Sequence, residues 1–295
     1  MTDHKEIPSF HSDGQTEEQW DVIIEPRGKI AHIDLASVWR YRDLIWMFFK
    51  RDFITFYKQT VLGPLWYLIQ PIVTATTYYI VFGKIANLST NGLPPFLFYI
   101  SGIVLWSYFS ACLTNNSEVF SKNSSLFSKV YFPRLVVPIS VAMSGLVALA
   151  IQFLLLILVS TIFAIQGTAP LNLLGLLYVP LLVLYIAVLG MGTGLIVSAM
   201  TVRFRDLVFA VGFATQLWMY ATPVVYPFGQ IPERYQWFYY LNPMTSPIET
   251  LRATLYGAPA VKTEIWISNL AITAALLVAG LVLFSKAESN AMDTV

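Results

Sequence analysis

Histidine, cysteine and charge are all scarce in this chain, and each scarcity excludes something. The 295 residues include three histidines, His4, His11 and His32, all in the polar N-terminal stretch, and a single cysteine, Cys112. One cysteine forms no intrachain disulfide, and this distribution argues against a zinc site or a Cys–His nucleophile pair in the apolar part of the chain. Charged residues make up 12% of the sequence, against roughly 25% in ordinary soluble domains. From Leu135 to Val202 there are 68 residues without one Asp, Glu, Lys or Arg. What is present instead is apolar: 56% hydrophobic residues and a mean hydropathy of +0.63. No soluble core needs such a run, so the chain reads as an all-α membrane protein.

A helix crossing a hydrocarbon layer about 30 Å thick needs roughly 20 apolar residues. Six stretches qualify, at about 61–83, 93–114, 135–165, 172–200, 207–225 and 265–284. The polar break Gln166–Asn172 makes the third and fourth a hairpin. Lys and Arg then set the direction. Fourteen lie in the N-terminal 60 residues, the second-to-third and fourth-to-fifth connections and the C-terminus, while only Lys84, Arg234, Arg252 and Lys262 lie on the other side. The positive-inside rule places both termini in the cytoplasm. Residues 1–35 lack the apolar core of a secretory signal, so the first span is expected to act as its own targeting signal. The expected organisation is a cytoplasmic extension (1–35), an amphipathic helix (36–60), a six-span region (61–286) and a short cytoplasmic tail (287–295).

From Val38 to Lys58, Arg40, Asp43, Lys50, Arg51 and Lys58 share one helical arc, with Val38, Tyr41, Leu44, Ile45, Phe48, Phe49, Phe53 and Phe56 opposite; Arg42 and Asp52 break the pattern. A basic, aromatic-rich helix of this kind is expected in the inner membrane surface, apolar side down, or packed on another protein.

Ion-coupled transporters keep ionisable groups within their spans. The third and fourth spans have none, which disfavours proton or sodium coupling. Neither Gly28-Lys29 nor Gly83-Lys84 has the spacing of a phosphate-cradling loop, so any ATP must be hydrolysed by another polypeptide. The cytoplasmic connection 115–134 interleaves basic and aromatic residues and ends at Pro133-Arg134; it reads as a short helix presented to a partner, or as a solvated loop. Residues 224–263 are too long for a turn and too polar for a crossing. There Ser246, Pro247 and Glu249 form a capping-box pattern with Gly257 as the stop, suggesting a short lid helix or a static cap. Gly190 and Gly194 sit at a spacing that permits close helix packing. Aromatic side chains crowd the first two spans, where they suit either interfacial belts or stacking on sugar rings.

The ordered motifs Tyr57–Trp66 (YKQTVLGPLW), Gln70-Pro71, Val130–Arg134 (VYFPR), Arg205-Asp-Leu207, Thr222–Pro227 (TPVVYP) and Leu241-Asn-Pro243 together resemble the permease subunit of type-2 ABC exporters of lipid-linked polysaccharide, which serve O-antigen, capsule and wall teichoic acid. The resemblance covers about residues 36–286. It implies a homodimer around a central channel, docked on two copies of a separate ATPase subunit that binds ATP and Mg, in a bacterial inner membrane. It further implies a glycan substrate on undecaprenyl pyrophosphate, and neither a cofactor, a metal nor a nucleic acid in this chain. By similarity the 36–60 helix meets the ATPase, and Glu118, Lys122, Lys129, Tyr131 and Arg134 lie at the coupling contact. Arg40, Arg42, Lys50 and Arg51 sit at headgroup level, where they meet anionic lipid or the pyrophosphate. Trp66, Tyr67, Tyr78, Tyr99, Trp106 and Phe109 line the glycan route, and Pro223, Pro227, Asn242, Pro243, Ser246 and Glu249 belong to an external gate. Rival readings are a small-molecule exporter of the same superfamily, or a membrane enzyme acting on polyprenyl-linked glycans. The enzyme needs a His, Asp or Glu cluster near a membrane face; only Glu118 and Asp206 are acidic between spans at the inner face.

Overall fold

The computed structural model describes residues 35–292 apart from 60, 61, 128, 131 and 205. The extension 1–34, Tyr131 and Arg205 therefore lie outside the described residues. Among the described residues every regular element is helical. Five helices are long and apolar enough to cross a membrane: Gly63–Ile85, Pro95–Ser117, Val136–Ile165, Leu173–Thr201 and Thr263–Glu288. In chain order the elements are α1 (Leu35–Arg40), α2 (Arg42–Gln59), α3 (Trp66–Tyr78), α4 (Pro95–Ser117), α5 (Val119–Lys122), α6 (Ser124–Phe127), α7 (Val136–Ile165), α8 (Val179–Thr201), α9 (Leu207–Tyr220), α10 (Glu233–Leu241), α11 (Thr245–Tyr256) and α12 (Thr263–Met292).

The expected fifth span is shorter than its apolar composition suggests. Fourteen residues rise about 21 Å at 1.5 Å each, less than the hydrocarbon thickness. The helix stops because Pro223 disfavours helical backbone at Thr222, and the chain then folds back through α10 and α11. At the other end of the sequence α12 continues to Met292, so the expected tail begins inside a helix.

α4 is the central post. It is buried over 78% of its most apolar window, against 17–33% for the other four long helices, because α7 and α8 pack along it and α3 and α9 flank it. Glycines on α8 allow the approach. A Cβ at Gly190 would sit 2.6 Å from the Cβ of Cys112, and one at Gly194 2.5 Å from the Cβ of Asn116, both on α4. Gly192 turns the other way, where a Cβ would meet the Leu277 Cα of α12 at 2.8 Å. The expected Gly-x-x-x-Gly contact thus exists, and the glycine between its ends serves a second helix.

α1 and α2 do not present one apolar side to lipid. Val38, Ile45 and Phe48 are buried with Val119, Phe120, Phe132, Val136 and Val137 in a cluster belonging to the chain's own connection and α7. Trp39 and Trp46 stay exposed at 72% and 59%, so the helix carries a second, outward aromatic face on which Trp46 stacks against Phe49 at 4.9 Å. Burial of the first face on this same chain is what the sequence pattern alone could not assign.

Candidate functional site

Two adjoining cavities of about 580 Å³ each run along α3, α4 and α7. Both are bounded by Tyr67, Ala111, Asn115, Gly145 and Ala148. Three of those five side chains are a methyl group or nothing, and this shared boundary forms a neck between the two spaces. The cavity nearer α2 is lined by Arg51, Asp52 and Lys122 beside Asn123 and Ser144. The other, reaching toward α11, includes Gln70, Thr74, Tyr78, Trp106, Gln152 and Gln216, with no carboxylate, ammonium or guanidinium in its lining. Gln70 on α3 and Gln216 on α9 are exposed. An amide facing hydrocarbon forfeits its hydrogen bonds at a cost of about 2 kcal/mol or more, so glutamines from three apolar helices are best accommodated by a shared wet groove.

At its α11 end the groove stops at an aromatic wall. The Tyr78 hydroxyl lies 3.7 Å from the Met219 sulfur, and the Tyr78 ring meets Tyr99 edge-on at 6.1 Å. Tyr99 in turn meets Phe98 at 5.6 Å, and the Arg252 guanidinium sits 3.5 Å from the Phe98 ring centroid.

Arg252 is 1% exposed and joins three segments. Its Nε donates to Ser101 Oγ (3.2 Å), and its Nη1 donates to Pro223 O (2.6 Å) and to Glu249 Oε1 (2.9 Å). Its Nη2 donates to Phe98 O (3.0 Å) and Val224 O (3.3 Å). α11 and the turn after α9 are thereby fastened to α4. Burial raises the Glu249 carboxyl above its ordinary value while the Arg252 charge pulls it back. Burial likewise lowers the Arg252 guanidinium, opposed by Glu249. Each ion is tolerable because the other is present.

Of the expected gate residues only Pro223 and Glu249 meet Arg252, and Ser246 with Glu249 does not form a capping box. Asn242 is the second clamp: its Nδ2 donates to Ala221 O and Thr222 Oγ1, both at 2.9 Å, and its Oδ1 accepts from Trp218 Nε1 and Met244 N. The turn at Met244 starts α11 before Ser246, whose hydroxyl accepts instead from Asn269 Nδ2 at 2.7 Å. Glu249 faces Arg252 rather than the helix start. Pro243 O accepts from Tyr185 (2.9 Å), Pro227 is buried, and Gly257 ends the helix as expected with φ +68. Nine of the twelve residues of α11 are buried, whereas α10 buries only Tyr239.

Of the expected path residues, Tyr67, Tyr78 and Trp106 line the groove. Tyr99 and Phe109 are wholly buried and line neither cavity, Tyr99 in the wall and Phe109 against Trp218 at 5.0 Å. Trp66 is 49% exposed and lines neither cavity. Among the connection residues, Glu118 pairs with Lys122, and Lys122 and Lys129 are exposed. Arg134 is turned inward, over Phe127 (5.2 Å) and Phe120 (5.9 Å), and donates to Glu288 O near the end of α12. Arg40, Arg42 and Lys50 are exposed; of the four headgroup candidates only Arg51 lines a cavity.

Gln152, Gln216, Phe98 and Ser101 carry no expectation from the sequence; Gln70 enters there only as part of a motif and Arg252 only as an outer-side charge. The glutamines carry a signal of their own, since each interrupts an apolar stretch with an uncharged polar group. Arg252 has one too, standing three residues after Glu249 among Ile248, Leu251 and Leu255.

Among the described residues, an all-helical set of apolar spans defines a multi-pass membrane protein. Residues 43–256 match the ABC-2 type transporter family, and the chain belongs to it. It is therefore a transporter subunit rather than an enzyme. The chain is 32% identical over 247 residues to the O-antigen export system permease protein RfbA of Klebsiella pneumoniae, covering 83% of this chain and 92% of that one. It is 25% identical over 263 residues to the protein of the same name from Myxococcus xanthus, covering 88% and 98%.

Proposed function

We propose that the chain is the membrane subunit of an ABC exporter of O-antigen, moving a polysaccharide on a polyprenyl pyrophosphate carrier across the bacterial inner membrane. The observation that carries this reading is the groove: uncharged amides, hydroxyls and flat aromatic faces through the span region, with Arg51 and Lys122 at one end. Amides and hydroxyls exchange hydrogen bonds with a sliding sugar chain without holding it, and aromatic faces stack on sugar rings. The names of the two relatives supply the substrate class.

In this reading the α2 end faces the cytoplasm, where Arg51 and Lys122 exchange their carboxylate partners Asp52 and Glu118 for the carrier's phosphates. Two copies pair through α3 and α9, whose faces at Val73 (58% exposed) and Phe213 (66%) lie beside the open groove. A separate ATPase, binding ATP and Mg, docks on α2, α5 and α6. Its closure pushes on the connection and separates the two copies, and the glycan threads past the neck.

Reconstitution tests this. The chain co-purified with its ATPase and placed in liposomes is expected to hydrolyse ATP faster when lipid-linked O-antigen is supplied. Ala148→Trp, which fills the neck, is expected to cut export at least tenfold while the complex still assembles. Full export through the filled neck would remove the groove from the route, and stimulation by small drugs but not by glycan would change the substrate class.

A further inference from the structure

We propose that Arg252 is a positioning residue that backs the aromatic wall Phe98–Tyr99–Tyr78 and so keeps the α11 end of the groove sealed between export cycles. This rests on the groove being the export route. A passage wide enough for a polysaccharide must close when idle, because the same passage would drain small solutes across the membrane. The lining of both cavities contains no residue of α10 or α11, so closure occurs at the wall itself, one ring below those helices.

The wall is a chain of edge-to-face contacts, with ring planes crossing at 86° for Phe98 and Tyr99 and 84° for Tyr99 and Tyr78. Such contacts set the angle of each ring from its neighbour. Of the three rings Tyr78 alone touches the groove; it is held edge-on by Phe82 at 5.4 Å on its own helix and by Tyr99 on α4, and the second support runs on to Phe98 and the guanidinium stacked behind. That guanidinium cannot shift independently, since all five of its hydrogen bonds end on α4, on the turn after α9 or on Glu249. Gly102 completes the fit: a Cβ there would lie 2.9 Å from Arg252 Nη2 and 3.2 Å from Val224 Cα.

A second observation points the same way. The Tyr99 hydroxyl is wholly buried with no hydrogen-bond partner, a cost of about 1–3 kcal/mol. A residue that served only as packing would be better as Phe. An unpaired hydroxyl in the wall gains a partner once the rings part and sugar or water enters, which lowers the cost of opening.

The test measures passive leak. Liposomes containing the full complex without ATP are mixed with xylitol, and swelling is followed by stopped-flow light scattering. Wild type is expected to match empty liposomes, and Arg252→Lys, which keeps a charge for Glu249 but loses the planar stack and most of the bonds, to leak at least threefold faster. Leu255→Ala is the control, since it thins α11 from an equally buried position, where its side chain lies beside Gly175, and leaves every contact of the guanidinium in place. It is expected to lower thermal stability without leak. Equal leak from both variants, or none from Arg252→Lys, overturns the proposal. Should Arg252→Lys fail to assemble, Phe98→Leu removes the ring that Arg252 backs; a tight Phe98→Leu complex overturns it as well. Adding Ala148→Trp to Arg252→Lys is expected to stop the leak, and persistence shows that the leak bypasses the groove and also overturns it. Export by Ala148→Trp alone judges the groove separately.

Discussion

Gly192 of α8 and Gly280 of α12 lie back to back, so close that a methyl group on Gly280 would collide with the Gly192 carbonyl oxygen. Main chain therefore meets main chain, with no side chain available to move aside. Gly280→Val is expected to separate the helices and cost about 1–3 kcal/mol, read as a fall in the melting temperature of the purified chain. Gly212→Val, at a helical glycine with open space around its Cβ, is expected to leave that temperature nearly unchanged. Equal losses from the two would mean that helix propensity matters here and contact does not.

The two tryptophans named from sequence as path residues now separate. Trp106 lines the groove and is 5% exposed; Trp66 is 49% exposed and lines neither cavity. Trp106→Leu is expected to lower glycan export several-fold at unchanged expression, and Trp66→Leu to leave export near wild type. A reversed order in a reconstituted export assay would move the route to the face of α3 that carries Trp66.

The connection residues separate in the same manner. Arg134 lies over two rings and reaches Glu288, so Arg134→Ala is expected to destabilise the chain alone by about 1–2 kcal/mol. Lys129 is exposed; Lys129→Glu is expected to leave the isolated chain's melting temperature unchanged while weakening its affinity for the ATPase. Titrating each variant with the ATPase and melting each without it distinguishes docking from internal support.

Asn242 uses both ends of its amide, and Asn242→Ala strands Trp218 Nε1 and the Ala221 carbonyl together. Two unpaired groups cost about 2–4 kcal/mol. The expected result is a lower melting temperature and faster proteolysis within residues 228–241. Cleavage confined to the α4–α7 connection would disprove this account of the clamp.

Much of the fold was legible because hydrophobic length is a local property. The uncharged run Leu135–Val202 encodes its hairpin directly, and Gly190 with Gly194 encodes the close face of α8. Where legibility failed, a distant residue decided. Ser246 reads as a cap until Asn269 claims its hydroxyl, and the turn that follows α9 is held by a clamp placed some twenty residues later. α4 is apolar on every side, so Tyr99 and Trp106 look alike in sequence although one is buried in the wall and the other borders the groove. Arg252 counts as an outward basic residue by position and proves to be among the largest wholly buried side chains. Charge counting sees number and side, never depth.

The tight seat of α8 on α4 has a practical consequence at Cys112. That thiol is wholly buried under Gly190 and is the sole cysteine of the sequence. To a water-soluble maleimide the native protein offers a blank surface, so a cysteine introduced beside the neck or on α10 will carry the label alone. Accessibility mapping of the route can begin from the unaltered sequence, without first building a cysteine-free background.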